Sequence, residues 1–591
     1  MLEDRPWFKY YPKEVPRHID YPLIPLYQPL LESANKFGHH EAIYFLGRRL
    51  SYQDVLEASY RFAHVLRQLG VQKGDRVAIM LPNTPQYVIA YYGTLMLGAI
   101  VVQTNPLYVE REIAFQMNDA EAKILICLDL HYPRIQKVID ETPLEHVIFT
   151  SVKDYLPFPK NWLYPYVQKK KGQPIPKRSP DRRYHDWQAL MQTAPLEPPA
   201  YPTIDPQEDV AMLQYTGGTT GTPKGVMLTH YNLIVNTVQA KHWIYKTKPG
   251  AERVVGALPF FHVYGMTTVL NLSVMIAASM LLFPRFEAGE ILKTIHKERP
   301  TLFPGAPTMY IALIHHPDIQ KYDLSSIDAS ISGSAPLPLE VQKQFETLTK
   351  GRIVEGYGLS ETSPVTHANP MYEFRKTGSI GLPWPDTDAM IVDMETGGPA
   401  PIGHVGEVAI RGPQVMKGYW RKPEETSKAF MDGWFLTGDI GKMDEDGFFY
   451  IVDRKKDMII AGGYNIYPRE VEEVLFAHPA VQEAAVVGVP DPYRGETVKA
   501  YIVLKPGQTV TEKELDTYVR SKLAAYKIPR IYEFRQELPK TIVGKVLRRV
   551  LADEAKAQIT KEQLTIDENG LKEQNDEEKG KEQEDRAQTT V

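Results

Sequence analysis

Residues 215–225 read YTGGTTGTPKG and hold four glycines, four threonines and one lysine. Glycines admit positive φ and let backbone N–H groups come close to a ligand. Successive N–H groups in such a turn form a concave nest that suits a polyphosphate. The hydroxyls of Thr216, Thr219 and Thr220 add donors, and Lys224 adds a mobile positive charge beside Gly217, Gly218 and Gly221. The loop follows DVAMLQY (209–215), which reads as a buried strand. It is not a Walker loop, because Thr-Pro-Lys follows Gly221 where Lys-Ser/Thr would be needed.

Four further segments carry chemistry-bearing residues. In Glu355-Gly-Tyr-Gly-Leu-Ser-Glu361, Tyr357 offers an aromatic plane for a nucleobase, and Glu361 offers a hard oxygen ligand for Mg²⁺. In Gly433-Trp-Phe-Leu-Thr-Gly-Asp439, the Asp439 carboxylate has two acceptor oxygens, enough for both hydroxyls of a ribose. Asp453-Arg-Lys-Lys-Asp457 stands where one pattern of elements gives way to another, a place for a hinge. Pro539-Lys-Thr-Ile-Val-Gly-Lys545 ends on a lysine that, taken alone, is a surface side chain.

These segments need elements to position them. Residues 51–150 alternate helix and strand patterns. Ser51 and Asp54 form a capping signal, and Val55, Phe62, Leu66 and Leu69 recur at helical spacing until Gly70. Strands are expected at 76–80, 99–103 and 123–128, with helices at 86–97 and 110–117. The alternation resumes over 231–354, with strands near 253–258, 280–283 and 329–332. It predicts an α/β fold of parallel sheets with helices on both faces. After Arg454 a small α+β unit is expected: a helix over 468–478, strands over 480–489 and 498–504, and a helix opened by Thr511 and Glu514 and running to about Ala524. From about Glu554 the chain is mostly Lys, Glu, Gln and Asp and reads as a solvated tail.

A length of 591 residues exceeds one core and implies several subdomains. A net charge of -5 without a basic stripe excludes nucleic acid as a partner. The lone Cys127 sits in an apolar run, reads as a small buried hydrophobe, and suits a reducing cytosol. No apolar signal region opens the chain, and 266–283 reads as a core helix and strand. Residues 151–206 break the pattern with Pro, Tyr, Trp and Lys. They read either as a surface insertion or as a peripheral patch for the inner face of a membrane. In the second reading Trp162, Leu163, Tyr164 and Tyr166 dip in, and the lysines 169–171 meet anionic headgroups.

The order and joint presence of these motifs closely resemble the adenylate-forming superfamily of acyl-CoA synthetases, luciferases and peptide-synthetase adenylation domains, over residues 30–551. Residues 432–456 resemble the signature of bacterial long-chain fatty acid–CoA ligases. The resemblance implies a large N-terminal domain of helix-covered sheets (1–455), a small mobile α+β C-terminal domain (456–555) and a charged tail (556–591). It implies that a fatty acid attacks ATP to give acyl-AMP and pyrophosphate, and that CoA then displaces AMP. By this resemblance residues 216–224 hold the β,γ-phosphates, and Thr216 and Glu361 are Mg²⁺ ligands. Gly333, Ser334, Ala335 and Tyr357 frame the adenine, Gly358 belongs to the ATP site with them, and Ser360 supplies a hydroxyl where relatives usually carry Thr. Asp439 would hold the ribose with Arg454 beside it, Lys545 would balance charge during adenylation, and Lys456 would be the hinge. Catalysis would thus rest on Lys545, Lys224 and Glu361, CoA would meet Gly462 and Gly463, and His262 and Tyr264 would line the acyl pocket. Rival readings are a medium-chain or aryl acid–CoA ligase, an acyl-AMP ligase feeding a carrier protein, or a non-catalytic acyl- or nucleotide-binding protein. Monomer and homodimer both stay open.

Overall fold

The computed structural model describes residues 5–216, 223–461, 464–491, 494–541 and 546–558. The chain divides into two compact units, Met1–Thr437 with Gly441–Ile451, and Gly438–Ile440 with Val452–Val591.

The first unit contains two large sheets. In the eight-stranded sheet Arg76–Met80, Ile100–Gln103, Ile124–Leu128, His146–Thr150, Tyr184–Asp186 and Val210–Thr216 run parallel. Lys224–Thr229 and Gly418–Tyr419 close one edge antiparallel. Successive side chains of a strand point to opposite faces. Ile124 and Ile126 therefore enter one core while Leu125 and Cys127 enter another, and every residue of Ile124–Leu128 is buried. Burial pushes the Cys127 thiol well above its usual range, so it stays a protonated packing group.

The nine-stranded sheet is parallel at its centre, through Glu41–Phe45, Ser279–Leu282, Arg253–Gly256, Leu302–Gly305, Ala329–Ser332 and Arg352–Gly358. Its edges are antiparallel, so the parallel pairing expected from the helix–strand alternation holds at the centre of the sheet and gives way to hairpins at its rims. A hairpin strand finds its partner within a few residues, whereas a parallel strand needs a crossover.

The local signals hold where they were strongest. Ser51 and Asp54 form a reciprocal capping box, with the Ser51 N–H donating to Asp54 at 2.8 Å, and the helix runs Tyr52–Gln68. Helix Pro85–Met96 is buried on every side. Strand Arg253–Gly256 stops two residues short of expectation, and Asn83 Nδ2 donates to the carbonyls of Gly256 (2.9 Å) and Leu258 (2.7 Å) where it ends.

Residues 151–206 are only partly an excursion. Tyr184–Asp186 adds a strand to the eight-stranded sheet, and Trp187 is buried in a stack on Phe62 at 4.7 Å between ring centroids. Residues 263–275 form a buried helix whose Met266–Asn271 stretch is π-helical, and strand Ser279–Leu282 follows it. Among the described residues no helix is long and apolar enough to cross a membrane.

The second unit is a sheet with two covered faces. Strands Val481–Asp491 and Gly495–Leu504 pair antiparallel, and Ile531–Arg535 joins the latter in parallel. Val486 and Ile502 pack with Val471, Leu475, Leu515 and Val519 of helices Pro468–Phe476 and Glu512–Arg520. Val487 and Val503 pack with Leu551 and Ala555 of a terminal helix over 548–558. That helix extends into the stretch expected to be a solvated tail, because Ala555 still has a sheet face to cover. The helix opened by Thr511 ends at Arg520, before the expected Ala524.

Candidate active site

Strand Val210–Thr216 and strand Lys224–Thr229 pair antiparallel with Thr216 opposite Lys224. The Gly/Thr loop therefore joins two strands at one end of a hairpin, unlike the strand-to-helix turn of a Walker loop. Gly217, Gly218, Thr219, Thr220 and Gly221 lie outside the described residues. The hairpin is fixed from behind by the Tyr215 hydroxyl, which donates to Asp119 at 2.7 Å. Gln214 Nε2 donates to the Phe261 carbonyl at 3.2 Å and so links this strand to the segment of His262 and Tyr264.

Glu361 lies in the turn Ser360–Thr362, which packs against both hairpin strands. Two close approaches set that turn. The Leu359 N–H donates to the Pro364 carbonyl at 3.1 Å, and a Cβ on Gly358 would stand 2.0 Å from the same oxygen. Only glycine fits at 358. The Glu361 carbonyl accepts from the Met416 N–H at 2.8 Å, and Glu361 Oε1 accepts from the Tyr419 hydroxyl at 2.9 Å. Lys224 is ion-paired with Glu425, and its ammonium stands 5.0 Å from the Tyr419 ring centroid. Burial, and then the neighbouring Glu361 charge, push the Tyr419 hydroxyl far above its usual range, so it is a donor at physiological pH.

The proposed adenine frame comes from neighbouring parallel strands, in register Gly305↔Ser332↔Glu355. Gly333, Ser334 and Ala335 thus follow the carboxyl end of one strand and Tyr357 lies near the carboxyl end of its neighbour, where open α/β sheets bind ligands. The Gly333 N–H donates to the Gly305 carbonyl at 3.1 Å. Ser334 takes φ +71°, a left-handed conformation that is rare without glycine. Tyr357 is half-buried and meets the buried His367 edge-on at 6.0 Å. Burial lowers His367 to about 3, so it is a neutral ring there.

Tyr264 is not an open pocket wall. Its hydroxyl donates to the carbonyls of Ile331 (2.8 Å) and Gly305 (3.2 Å), and its ring lies 3.0 Å from where a Gly333 Cβ would be. It backs the adenine frame from the side of the expected acyl motif. His262 Nδ1 accepts from the Tyr264 N–H at 3.3 Å, capping the buried helix. Asn83 was not read as important from sequence. It is 3% exposed and fixes the same motif, with Oδ1 accepting from the Phe260 N–H at 2.8 Å. Its only signal was an Asn between Pro82 and the Thr-Pro helix start. Tyr419 and Glu425 were also missed. Their segment showed only a helix start, with Pro423 before two glutamates.

Within the second unit, Asp439 is 5% exposed and lies 3.4 Å from Arg454 Nε, so the structure pairs the two residues expected at the ribose. Lys456 is partly buried, and burial lowers its ammonium below the usual lysine range. Asp453 accepts from the N–H groups of Arg454 and Arg469, both at 2.7 Å, yet burial raises it to about 6. Arg548 donates to Glu472 at 2.5 and 3.0 Å and reaches Asp457 at 3.5 Å, tying the terminal helix to the 453–457 loop. Gly462, Gly463 and Lys545 lie outside the described residues.

The chain is similar to proteins of known activity along nearly its whole length. It is 55% identical over 555 residues to the long-chain-fatty-acid–CoA ligase of Bacillus subtilis, covering 94% of this chain and 99% of that one. It is 40% identical to the protein of the same name from Escherichia coli O157:H7, again over 94% and 99%. Among solved structures, ATP-bound MatB from Rhodopseudomonas palustris superposes with a TM-score of 0.79 at 31% identity, covering 90% and 99%. Residues 30–420 match the AMP-binding enzyme family and residues 470–545 its C-terminal domain. These two matches contain the hairpin, the Glu361 turn and the adenine frame in one and the small sheet in the other, and the chain therefore belongs to the AMP-binding enzyme family.

Proposed function

We propose that this protein is a long-chain fatty acid–CoA ligase that works through an acyl-adenylate. The observation that carries the reading is the 55% identity to the B. subtilis ligase across 99% of that enzyme's length. In the first step the fatty carboxylate attacks the α-phosphorus of ATP, forming acyl-AMP and releasing pyrophosphate. In the second the CoA thiol attacks the acyl carbonyl, releasing AMP and a proton and leaving the thioester. Two anions meet in the first step, so positive charge and N–H donors must stand where charge develops.

The chain's own residues divide that task. Residues 216–224 grip the β- and γ-phosphates, and Gly333, Ser334, Ala335 and Tyr357 frame the adenine, with Gly358 in the same ATP site and the Ser360 hydroxyl toward phosphate. Asp439 and Arg454 take the ribose, and Lys545 faces the reacting carboxylate and α-phosphate. Lys456 serves as the hinge, Gly462 and Gly463 border the pantetheine path, and His262 borders the acyl site. In this reading residues 1–455 form the large domain and 456–555 the small one.

The residues present fit Mg²⁺. Thr216 and Glu361 offer hard oxygens from neighbouring elements. That pattern suits an ion whose shell is completed by phosphate oxygens and water. Bound there, Mg²⁺ would neutralise charge on the phosphate oxygens.

The test is AMP release from ATP with acetate, benzoate, octanoate or palmitate, with and without CoA. Palmitate is expected to give the highest kcat/KM, with palmitoyl-CoA as product. Preference for benzoate, or acyl-AMP as the end product when CoA is present, would refute the reading.

A second proposal concerns the surface of the first unit. Helix Lys160–Lys170 and its lead-in expose Phe158 (82%), Trp162 (77%) and Tyr166 (70%), four residues apart. No acidic residue occurs between Asp154 and Asp181, while Lys160, Lys169, Lys170, Lys171, Lys177 and Arg178 do. Exposed aromatics with flanking cations suit peripheral docking on an anionic bilayer. Tyr164, expected among the inserting side chains, instead packs on the core. Replacing Lys169, Lys170 and Lys171 by glutamine is expected to weaken binding to phosphatidylglycerol vesicles about tenfold at low salt, each surface cation contributing up to about 1 kcal/mol. Unchanged co-sedimentation would count against this surface.

A further inference from the structure

The groups assigned to the phosphates and the metal are held in place by a segment remote from both. Residues 416–426 are stitched to the Glu361 turn by the Met416 N–H on the Glu361 carbonyl (2.8 Å). They are stitched to the Lys224 strand by the Lys417 N–H on Met227 (3.1 Å) and the Trp420 N–H on Gly225 (2.7 Å). From this platform two side chains reach back. Tyr419, 9% exposed, donates its hydroxyl to Glu361 Oε1 at 2.9 Å and lays its ring 5.0 Å from the Lys224 ammonium. Glu425, from helix Pro423–Ala429, carries the ion pair with Lys224. The Tyr419 backbone is itself pinned, its N–H donating to Thr426 Oγ1 at 2.9 Å.

A carboxylate on a flexible stem presents its oxygens in many directions. A fixed phenol donor on one oxygen selects one of them, as outer partners do for metal-ligating groups. A lysine is a point charge on a four-carbon stem and takes the strongest anion within reach. Glu425 is the anion paired with Lys224 in the structure. A triphosphate carries several charges and competes for the same ammonium, and Tyr419 leaves Lys224 an aromatic face in either pairing.

We propose that Tyr419 is a positioning residue that orients Glu361 toward metal-bound ATP, and that Glu425 is the exchangeable counter-ion of Lys224, displaced when the triphosphate arrives. This rests on the ligase reading above. The proposal makes two substitutions act in opposite directions, which a merely structural cluster would not do.

The experiment uses the full-length protein and its Tyr419→Phe and Glu425→Gln variants. Binding of Mn²⁺ with α,β-methylene-ATP is followed by electron paramagnetic resonance and calorimetry, and the melting temperature is recorded. Y419F keeps the ring and is expected to weaken metal–nucleotide binding about tenfold. It should raise the Mg²⁺ needed for half-maximal activity by a similar factor, with KM for palmitate and CoA unchanged. E425Q removes the competing anion and is expected to tighten nucleotide binding up to about fivefold. Unchanged metal–nucleotide binding in Y419F overturns the positioning role. Weaker or unchanged nucleotide binding in E425Q overturns the counter-ion role. If Y419F does not fold, Tyr419→Met takes its place in the positioning test, and the sign of the E425Q effect decides the counter-ion role, Glu425 being half-exposed. Wild-type AMP release from palmitate and ATP is measured alongside. Its absence would refute the ligase reading itself, whereas an active wild type with variants behaving otherwise refutes only this inference.

Discussion

Replacing Lys545 by alanine is expected to slow acyl-adenylate formation about 10³-fold while leaving thioester formation from supplied acyl-AMP within about twofold. Losing a single preorganised group that meets developing charge costs on the order of 10²–10³ in rate. A full cationic charge placed between two reacting anions belongs at the upper end. In the second step the acceptor is a thiol and the phosphate is already esterified, so the same charge has nothing comparable to balance. The flanks of this residue are well anchored. The Leu547 N–H donates to the Pro539 carbonyl at 2.8 Å, Lys540 bridges Val546, and Arg548 is held by Glu472 and Asp457. Pyrophosphate–ATP exchange measures the first step and the thioester product measures the second. Equal loss in both would remove Lys545 from the assigned role.

Replacing Glu298 by alanine is expected to destabilise the first unit by about 3–5 kcal/mol, the range for removing one partner of a buried ion pair. Glu298 is 3% exposed at the end of helix Ala288–Glu298. Its Oε2 accepts from Arg49 at 2.7 Å and from Arg253 at 3.1 Å. Arg253 also donates to Glu41 at 2.6 Å, and Ser279 donates to the same Glu41 oxygen at 2.5 Å. The network joins four adjacent strands of the nine-stranded sheet to a covering helix. Without Glu298, two guanidinium groups face one carboxylate. Arg49 is half-exposed and recovers some hydration, which favours the lower part of the range. A fall in the urea midpoint, with palmitate KM unchanged in the folded fraction, is the expected result. An unchanged midpoint would show that the network contributes nothing.

Candidate site residues could be named from the chain because their motifs are local. A nest of N–H groups needs its glycines in sequence, and a capping box needs Ser51 and Asp54 three residues apart. Strand periodicity likewise located 76–80 and 329–332 to the residue. What stayed hidden depends on partners far along the chain. Asn83 looks like an ordinary turn residue until its amide is found on carbonyls 173 and 175 positions away. Tyr164 belongs to an aromatic run that reads as exposed, and packing turned it inward while Trp162 and Tyr166 stayed out.

The chain by itself predicts a polyphosphate grip after a buried strand, accompanied by an aromatic plane and a carboxylate, and the structure supplies that strand as Val210–Thr216. It also determined that a separate small α+β unit follows residue 454. These properties follow from residue types at short spacing, which folding cannot rearrange. Tertiary structure decided which strands became neighbours, and so set Tyr419 against Glu361 and Glu425 against Lys224. It also set the Tyr264 hydroxyl on the Ile331 and Gly305 carbonyls, with its ring against Gly333. Those outcomes turn on which remote backbones share a sheet edge, and hydrogen-bond pairing across strands leaves no periodic mark in either partner's own sequence.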